Sequence, residues 1–239
     1  LLDVLVAQQK ALVEKTGISS RTIEDLKNNR LLQADAYVYH LLAVNMVVGH
    51  GYSDSKSEPY EATRIRTPGY PSFIALVYLV FGPDHRAVLF VQSALGALTA
   101  FLVYLLGRRL FDTRVGLTAS FVVALYPALI HYDTLILREG FTGTVLTLTV
   151  LLSIYAFNTR RKNRRLITVG ALLALLSMCK PELILLFAPV VYLLAQPLSH
   201  IRTLWRPVLL VALPILLVWV PWTVRNYVTF GSLSCAGME

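Results

Sequence analysis

LITVGALLALLSMCKPELILLFAPVVYLLAQ, residues 166–196, decides how the rest of the chain is laid out. It is 31 residues long. As one helix it would measure about 46 Å, against an apolar bilayer core of about 30 Å. Lys180, Pro181 and Glu182 stand in its middle. Proline lacks the amide proton that a helix interior needs, and two charges at mid-membrane are costly. Two short helices over 166–179 and 181–196, turning at 180–182, therefore suit the stretch better than one crossing.

Outward from that hairpin, residues 87–106, 115–130 (extendable toward 137), 140–157 and 207–222 form further apolar runs. Each is close to the length a spanning helix needs. With the hairpin counted as two, there are six crossings. The loops 107–114, 158–165 and 197–206 then fall on one side and hold ten of the fourteen Lys and Arg residues after position 81. Positive charge marks the cytoplasmic side. A single crossing over 166–196 would move Arg202 and Arg206 to the other side, so loop charge favours the hairpin. The expected fold is an all-α, multi-pass transmembrane helical bundle over 82–239. Residues 1–81 are expected to form an extracytoplasmic first-loop region with interfacial helices. Within it, 70–81 is apolar but only about a dozen residues long, which suits an interfacial or re-entrant helix. Residues 1–15 and 20–32 have helical character, with Ser20 placed to cap the second.

Composition agrees. The chain is 56% hydrophobic and 15% charged, with mean hydropathy +0.60, whereas a water-soluble domain carries about a quarter charged residues. The net charge of +8 does not mark a nucleic-acid binder, because the basic residues sit in short clusters between apolar runs. Cys179 and Cys235 have no metal-ligand spacing, and no Walker loop or dinucleotide fingerprint is present. The chain begins at Leu1 without a signal-peptide pattern and stops shortly after an apolar run, so a piece of a longer protein is expected.

In this topology Asp35, Tyr37, Tyr39, His40, Arg64, Arg66, His131, Asp133, Arg138, Glu139, Lys180, Glu182, Arg225 and Asn226 share the outer face. Ionisable groups at a membrane edge are expensive, and a pocket needs its groups at one depth. Asp35 and Tyr39 are four apart and fall on one helix face. Asp35 suits a general base, and equally a first-turn acid favoured by the helix dipole. Arg66-Thr67-Pro68-Gly69-Tyr70-Pro71 joins a guanidinium to a rigid turn. That arginine can grip phosphate bidentately or anchor the following helix. Arg138-Glu139 and Lys180-Pro181-Glu182 put opposite charges at helix ends, as structural ion pairs or as parts of a site. Arg225-Asn226 follow Trp219 and Trp222, an interfacial aromatic anchor, and Arg225 is a further anchor or a phosphate ligand. His131 and Asp133 suit interfacial residues better than parts of a site.

Several short motifs recur in a fixed order: Asp35-Ala36-Tyr37, Gly49-His50-Gly51-Tyr52, Arg66-Thr67-Pro68-Gly69-Tyr70-Pro71, Phe81-Gly82 and Gln92. Gly107-Arg108-Arg109-Leu110-Phe111, Tyr126-Pro127, Arg138-Glu139, Lys180-Pro181-Glu182 and Pro221-Trp222-Thr223-Val224-Arg225-Asn226-Tyr227 follow. Across residues 33–233 this order resembles the GT-C superfamily of membrane glycosyltransferases. The branch is the one similar to dolichyl-phosphate-mannose–protein mannosyltransferases and bacterial aminoarabinose transferases. The resemblance implies a polyprenyl-phosphate sugar as donor, dolichyl- or undecaprenyl-linked. It implies an inverting transfer to a lipid, glycan or protein acceptor on the extracytoplasmic side of a cell membrane, inner or plasma. Asp35 would be the catalytic base, and Arg66, Lys180 and Arg225 would hold the donor phosphate. Tyr37, Tyr39, Tyr70, Arg138, Glu139, Glu182 and Asn226 would line the substrate pocket. No resident metal is implied, though Glu139 leaves room for a divalent cation. Three features depart from the pattern: no span precedes Asp35, the second acid is replaced by Ala36, and Lys180 stands where arginine is frequent, keeping the charge without the bidentate fork. The alternative is a phosphate-lipid carrier or transporter that moves no sugar; charges spread along membrane depth would favour it, whereas here the polar residues sit at one edge apart from the Lys180 hairpin.

Overall fold

The computed structural model describes residues 34–156, 162–195 and 205–232, and every regular element in them is helical. The helices expected over 1–15 and 20–32, Cys235, and Arg160, Arg161 and Arg202 of the basic loops lie outside the described residues. Helix α1 (Ala34–Val48) is followed by a loop over 49–68 and by α2 (Gly69–Phe81). Asp84 starts α3 (His85–Leu110) by accepting from the Arg86 amide at 2.9 Å. Asp112 starts α4 (Thr113–Leu125) by accepting from the Val115 amide at 2.8 Å. Each cap gives an acceptor to an amide that has no partner in its own helix.

The run expected over 115–130 does not form one rod. Tyr126 precedes Pro127 and takes extended dihedrals (φ −71°, ψ 112°), because the proline ring excludes the helical conformation of its predecessor. Helix α5 (Pro127–Asp133) therefore leaves α4 at 56°, and it stops before the extension toward 137. Helix α6 (Arg138–Ala156) and α7 (Lys162–Cys179) follow. The hairpin at 180–182 stands where the charges placed it. Lys180 is extended, a 3-10 turn runs Pro181–Leu186, and α8 (Phe187–Ala195) returns. Helix α9 (Trp205–Phe230) continues through Pro214 and Pro221, past the exit expected at Trp222, so Arg225 and Asn226 are helical. Prolines are tolerated inside membrane helices because neighbouring helices and local adjustments satisfy the freed backbone groups. Here α7 packs so closely that a Cβ on Gly170 would stand 2.5 Å from the Val211 carbonyl oxygen.

Two described helices, α3 and α9, are long and apolar enough to cross a membrane, or three elements if the bent pair α4–α5 is one span. At 26 residues each, α3 and α9 are about 39 Å long. Their outward side chains, among them Phe90, Phe101, Leu217 and Val228, are exposed apolar groups suited to lipid. Helices α6 and α7 reach 19 and 18 residues, but charged residues at their starts shorten the apolar run, Arg138 and Glu139 in α6. Helix α7 opens on Lys162, Arg164 and Arg165. In α6, Thr142, Thr144, Thr147, Thr149 and Ser153 each donate to the carbonyl four residues back, which satisfies the hydroxyls inside an apolar bundle. Loop charge carries the count of six crossings; length and apolarity support two or three.

Cross-helix contacts fix the directions. Gln92 Nε2 donates to the Leu135 carbonyl at one end of α3, and Arg109 lies over the Tyr155 ring at the other, so α3 and α6 run parallel. Gly170 faces Val211, and Trp219 Nε1 donates to Ser177 Oγ at 2.8 Å, so α7 and α9 run parallel. Arg108, Arg109, Arg164 and Arg165 thus gather at one end of the bundle. Arg138, Glu139, Lys180 and Arg225 gather at the other. Helices α1 and α2 pack together at that second end, with Leu42, Ala43, Tyr70 and Ile74 buried. The start of α2 sits against α7, where a Cβ on Gly69 would be 2.6 Å from the Met178 carbonyl carbon.

Candidate functional site

Asp35 lies in the first turn of α1, where the helix dipole favours an acid. Its Oδ1 accepts from Arg66 Nη2 at 2.6 Å. Asp35 is half-exposed, and no described residue donates to its Oδ2. Arg66 comes from the loop 49–68, which the structure folds back over α1. One turn along α1, Tyr39 is buried and packs edge-on against Tyr70, ring centroids 4.9 Å apart.

The second half of the cluster joins α6 to the break after α7. Glu139 Oε1 lies 3.3 Å from Lys180 Nζ and 3.7 Å from Arg138 Nε. Arg138 Nη1 donates to the Cys179 carbonyl at 3.3 Å. Helix ends explain the placing: Glu139 sits at the positive N-terminus of α6, while Arg138 and Lys180 sit at the negative C-terminus of α7. Tyr39 ties the halves together. Burial raises the pKa of its phenol; Arg138 and Arg66 act to lower it, and Asp35 and Glu139 to raise it. Tyr39 therefore stays a neutral phenol with both ion pairs around it.

Arg225 has a different setting. Its Nη1 donates to the Thr63 carbonyl at 2.7 Å and to Asn226 Oδ1 at 2.9 Å, and its Nη2 to the Tyr52 carbonyl at 3.3 Å. The guanidinium also lies over the rings of Tyr52, Trp222 and Phe230. Tyr52 in turn donates to the Arg66 carbonyl at 2.8 Å, and burial raises its phenol pKa. Arg225 thus clamps the loop that carries Arg66.

The remaining expected residues take separate places. Tyr37 faces the loop, under Lys56 at 4.8 Å. Tyr70 is buried and donates to Gln92 Oε1 at 2.6 Å, and Gln92 carries the link on to Leu135. Glu182 is exposed in the 3-10 turn and forms no ion pair among the described residues, while Asn226 is buried beside Arg225. His131 is exposed on α5. Among the described residues no three His, Cys, Asp or Glu groups are arranged to hold a metal ion.

One feature escaped sequence reasoning. A cavity of 320 Å³ lies between α3, α4, α5 and α6, with Asp133 and Glu139 on its wall. Glu139 is thus shared between this cavity and the charged cluster. The glycines that make room for it, Gly96 and Gly140, are 44 residues apart and carry no signal of proximity.

The sequence model described as dolichyl-phosphate-mannose-protein mannosyltransferase matches residues 65–224. That segment contains Arg66, Arg138, Glu139 and Lys180; Asp35 and Arg225 lie outside it. No curated protein and no solved structure matches the chain.

Proposed function

The chain belongs to the dolichyl-phosphate-mannose-protein mannosyltransferase family, membrane glycosyltransferases of the GT-C type, and from that premise we propose that it transfers a hexosyl or pentosyl group from a polyprenyl-phosphate to an acceptor hydroxyl at the end of the bundle that carries Asp35 and Lys180. The observation that carries this is the two sets of ion pairs, Asp35 with Arg66 and Glu139 with Lys180 and Arg138, at the end opposite the basic loops, with Tyr39 in electrostatic reach of both. With positive charge on the cytoplasmic side, the reaction is extracytoplasmic, and the chain is a multi-pass protein of a cell membrane, with residues 1–81 as its outer region and 82–239 as its bundle.

In the step itself the acceptor hydroxyl attacks the anomeric carbon. A carbon–oxygen bond forms there, and the bond from that carbon to the phosphate oxygen breaks, the phosphate leaving with the electron pair. Attack opposite the leaving group inverts the configuration. The hydroxyl proton goes to Asp35 Oδ2, while Arg66 holds Oδ1 and fixes the carboxylate. Charge grows on the departing phosphate, and cations already aimed at it stabilise that change at no reorganisation cost. Arg66 and Lys180 face this task directly; Arg138 adds charge beside them, and Arg225 acts by fixing the Arg66 loop.

The test is Asp35→Asn in the purified protein with a radiolabelled polyprenyl-phosphate hexose. Transfer is expected to fall by about 10²- to 10⁴-fold, the usual worth of a general base, while insertion and thermal stability hold. An unchanged rate removes Asp35 from the chemistry.

A further inference from the structure

The cavity beside Glu139 differs from the cluster in charge. Two carboxylates, Asp133 and Glu139, face it, and no lysine or arginine lines it. Asp133 accepts no hydrogen bond from any described residue. Its carboxylate occupies the space that two glycines leave open: a Cβ on Gly96 or on Gly140 would overlap its oxygens. The same carboxylate abuts Gly140, beside Glu139 in the first turn of α6, so Asp133 stands at the end of the bundle that carries the charged cluster. An ionisable group at a membrane edge is expensive, and such groups face cavities that use them. Below Asp133 the wall is apolar, with Val123, Ala124, Leu129 and Ile130, while Ser93 and Thr134 add hydroxyls.

We propose that this cavity binds the head of a lipid-anchored acceptor, an uncharged polyhydroxylated group whose hydroxyls donate to Asp133, and that it hands the reacting hydroxyl past Glu139 to the cluster. The inference rests on the glycosyl-transfer reading of the adjoining site. Charge separates the two substrates. A phosphate-headed donor is repelled by the unpaired Asp133 carboxylate in a wall that holds no lysine or arginine, and is drawn to Arg66 and Lys180 instead. An unpaired carboxylate accepts from hydroxyl-bearing groups. The apolar wall selects an acceptor that carries an apolar anchor, since Leu129 and Ile130 line the cavity and remain exposed beside it.

Gly143 gives the test. It lines the cavity, and a Cβ there meets nothing within 4 Å, so Gly143→Leu fills the space without displacing backbone. The full chain in nanodiscs is given a labelled polyprenyl-phosphate hexose with either dodecyl glucoside or a water-soluble serine peptide. Wild type is expected to glycosylate the glucoside and not the peptide. Gly143→Leu is expected to cut that transfer by about ten-fold or more, while donor hydrolysis by water stays within about two-fold, because only acceptor binding is lost. Asp133→Ala is expected to raise the KM for dodecyl glucoside about ten-fold with the donor KM unchanged, and Asp133→Asn to fall between. If Gly143→Leu does not fold, Gly143→Ala takes its place. Transfer by the filled variant at the wild-type rate, or transfer to the peptide alone, overturns the proposal. Equilibrium binding of labelled dodecyl glucoside is read separately. Saturable binding lost in the filled variant sustains the cavity even if no donor is turned over, an outcome that sinks only the transferase reading. Binding unchanged by the substitution sinks the cavity.

Discussion

Asp35 and Asp133 stand on helices at the same end of the bundle, and their carboxylates are met in opposite ways. Asp35 is held by Arg66 at 2.6 Å, beside a second pairing of Glu139 with Lys180 and Arg138. Asp133 has two glycines where partners would be, and a cavity in front of it. The first region matches charge with charge, so it is ready for a substrate whose charge changes during reaction. The second leaves one sign unanswered, so it sorts neutral groups from anions. Glu139 belongs to both, which makes it the boundary between a donor side and an acceptor side.

The sharpest way to break the comparison is to neutralise each acid in turn. Asp35→Asn is expected to lower kcat by about 10²- to 10⁴-fold with little change in acceptor KM, whereas Asp133→Asn acts on acceptor KM alone. Equal effects on the same parameter would merge the two regions into one. Glu139→Gln comes next. It keeps an acceptor for Lys180 but removes the charge that balances Lys180 and Arg138. Transfer is expected to fall by about 10²-fold, since both cations lose the group that aims them. A loss confined to acceptor KM would place Glu139 on the cavity side only.

The two regions were unequally legible in the sequence. The hairpin at Lys180 was readable because proline and two charges cannot share the middle of a span. The bend at Tyr126-Pro127 obeys the same chemistry, yet the apolar run across it masked the break. Asp35 and Tyr39 share a face by helical spacing alone. Their partners do not follow from spacing: Arg66 comes from a loop 31 residues on, and Glu139 and Lys180 meet across 41 residues. Arg225 read equally well as an anchor or a phosphate ligand, because its carbonyl partners lie over 160 residues away. Asp133 reads as interfacial because the absence of a partner is a tertiary fact. Local chemistry is written locally, and closed ion pairs and open cavities are not.

Arg225 sharpens the comparison at a distance. It reaches the donor side only through the backbone of Thr63 and Tyr52 and the Tyr52 bond to Arg66. Arg225→Ala is expected to lower kcat about ten-fold, as a misplaced cation does, with acceptor KM unchanged and unaffected by anything at Asp133. Arg225→Lys is expected to recover part of the loss, because one carbonyl bond survives. A variant that lost donor KM alone, with no recovery by lysine, would make Arg225 a direct phosphate ligand.

The smallest effect lies behind the cluster, on the other face of α1. His40 is buried, with Nδ1 2.7 Å from the Tyr78 hydroxyl. Burial lowers its pKa from 6.5 to about 4, and neighbouring His85 adds to the shift. Between those values the unfolded chain takes up a proton that the folded one refuses. His40 therefore leaves stability intact above pH 6.5 and drains it as pH falls toward 4, by about 1.4 kcal/mol per unit. His40→Gln keeps a partner for Tyr78 and removes the titration, so its unfolding midpoint is expected to change less over that window than the wild-type midpoint does. Identical pH profiles for the two would mean that His40 meets the proton equally well in both states. The packing of α1 on α2 would then owe nothing to a neutral imidazole.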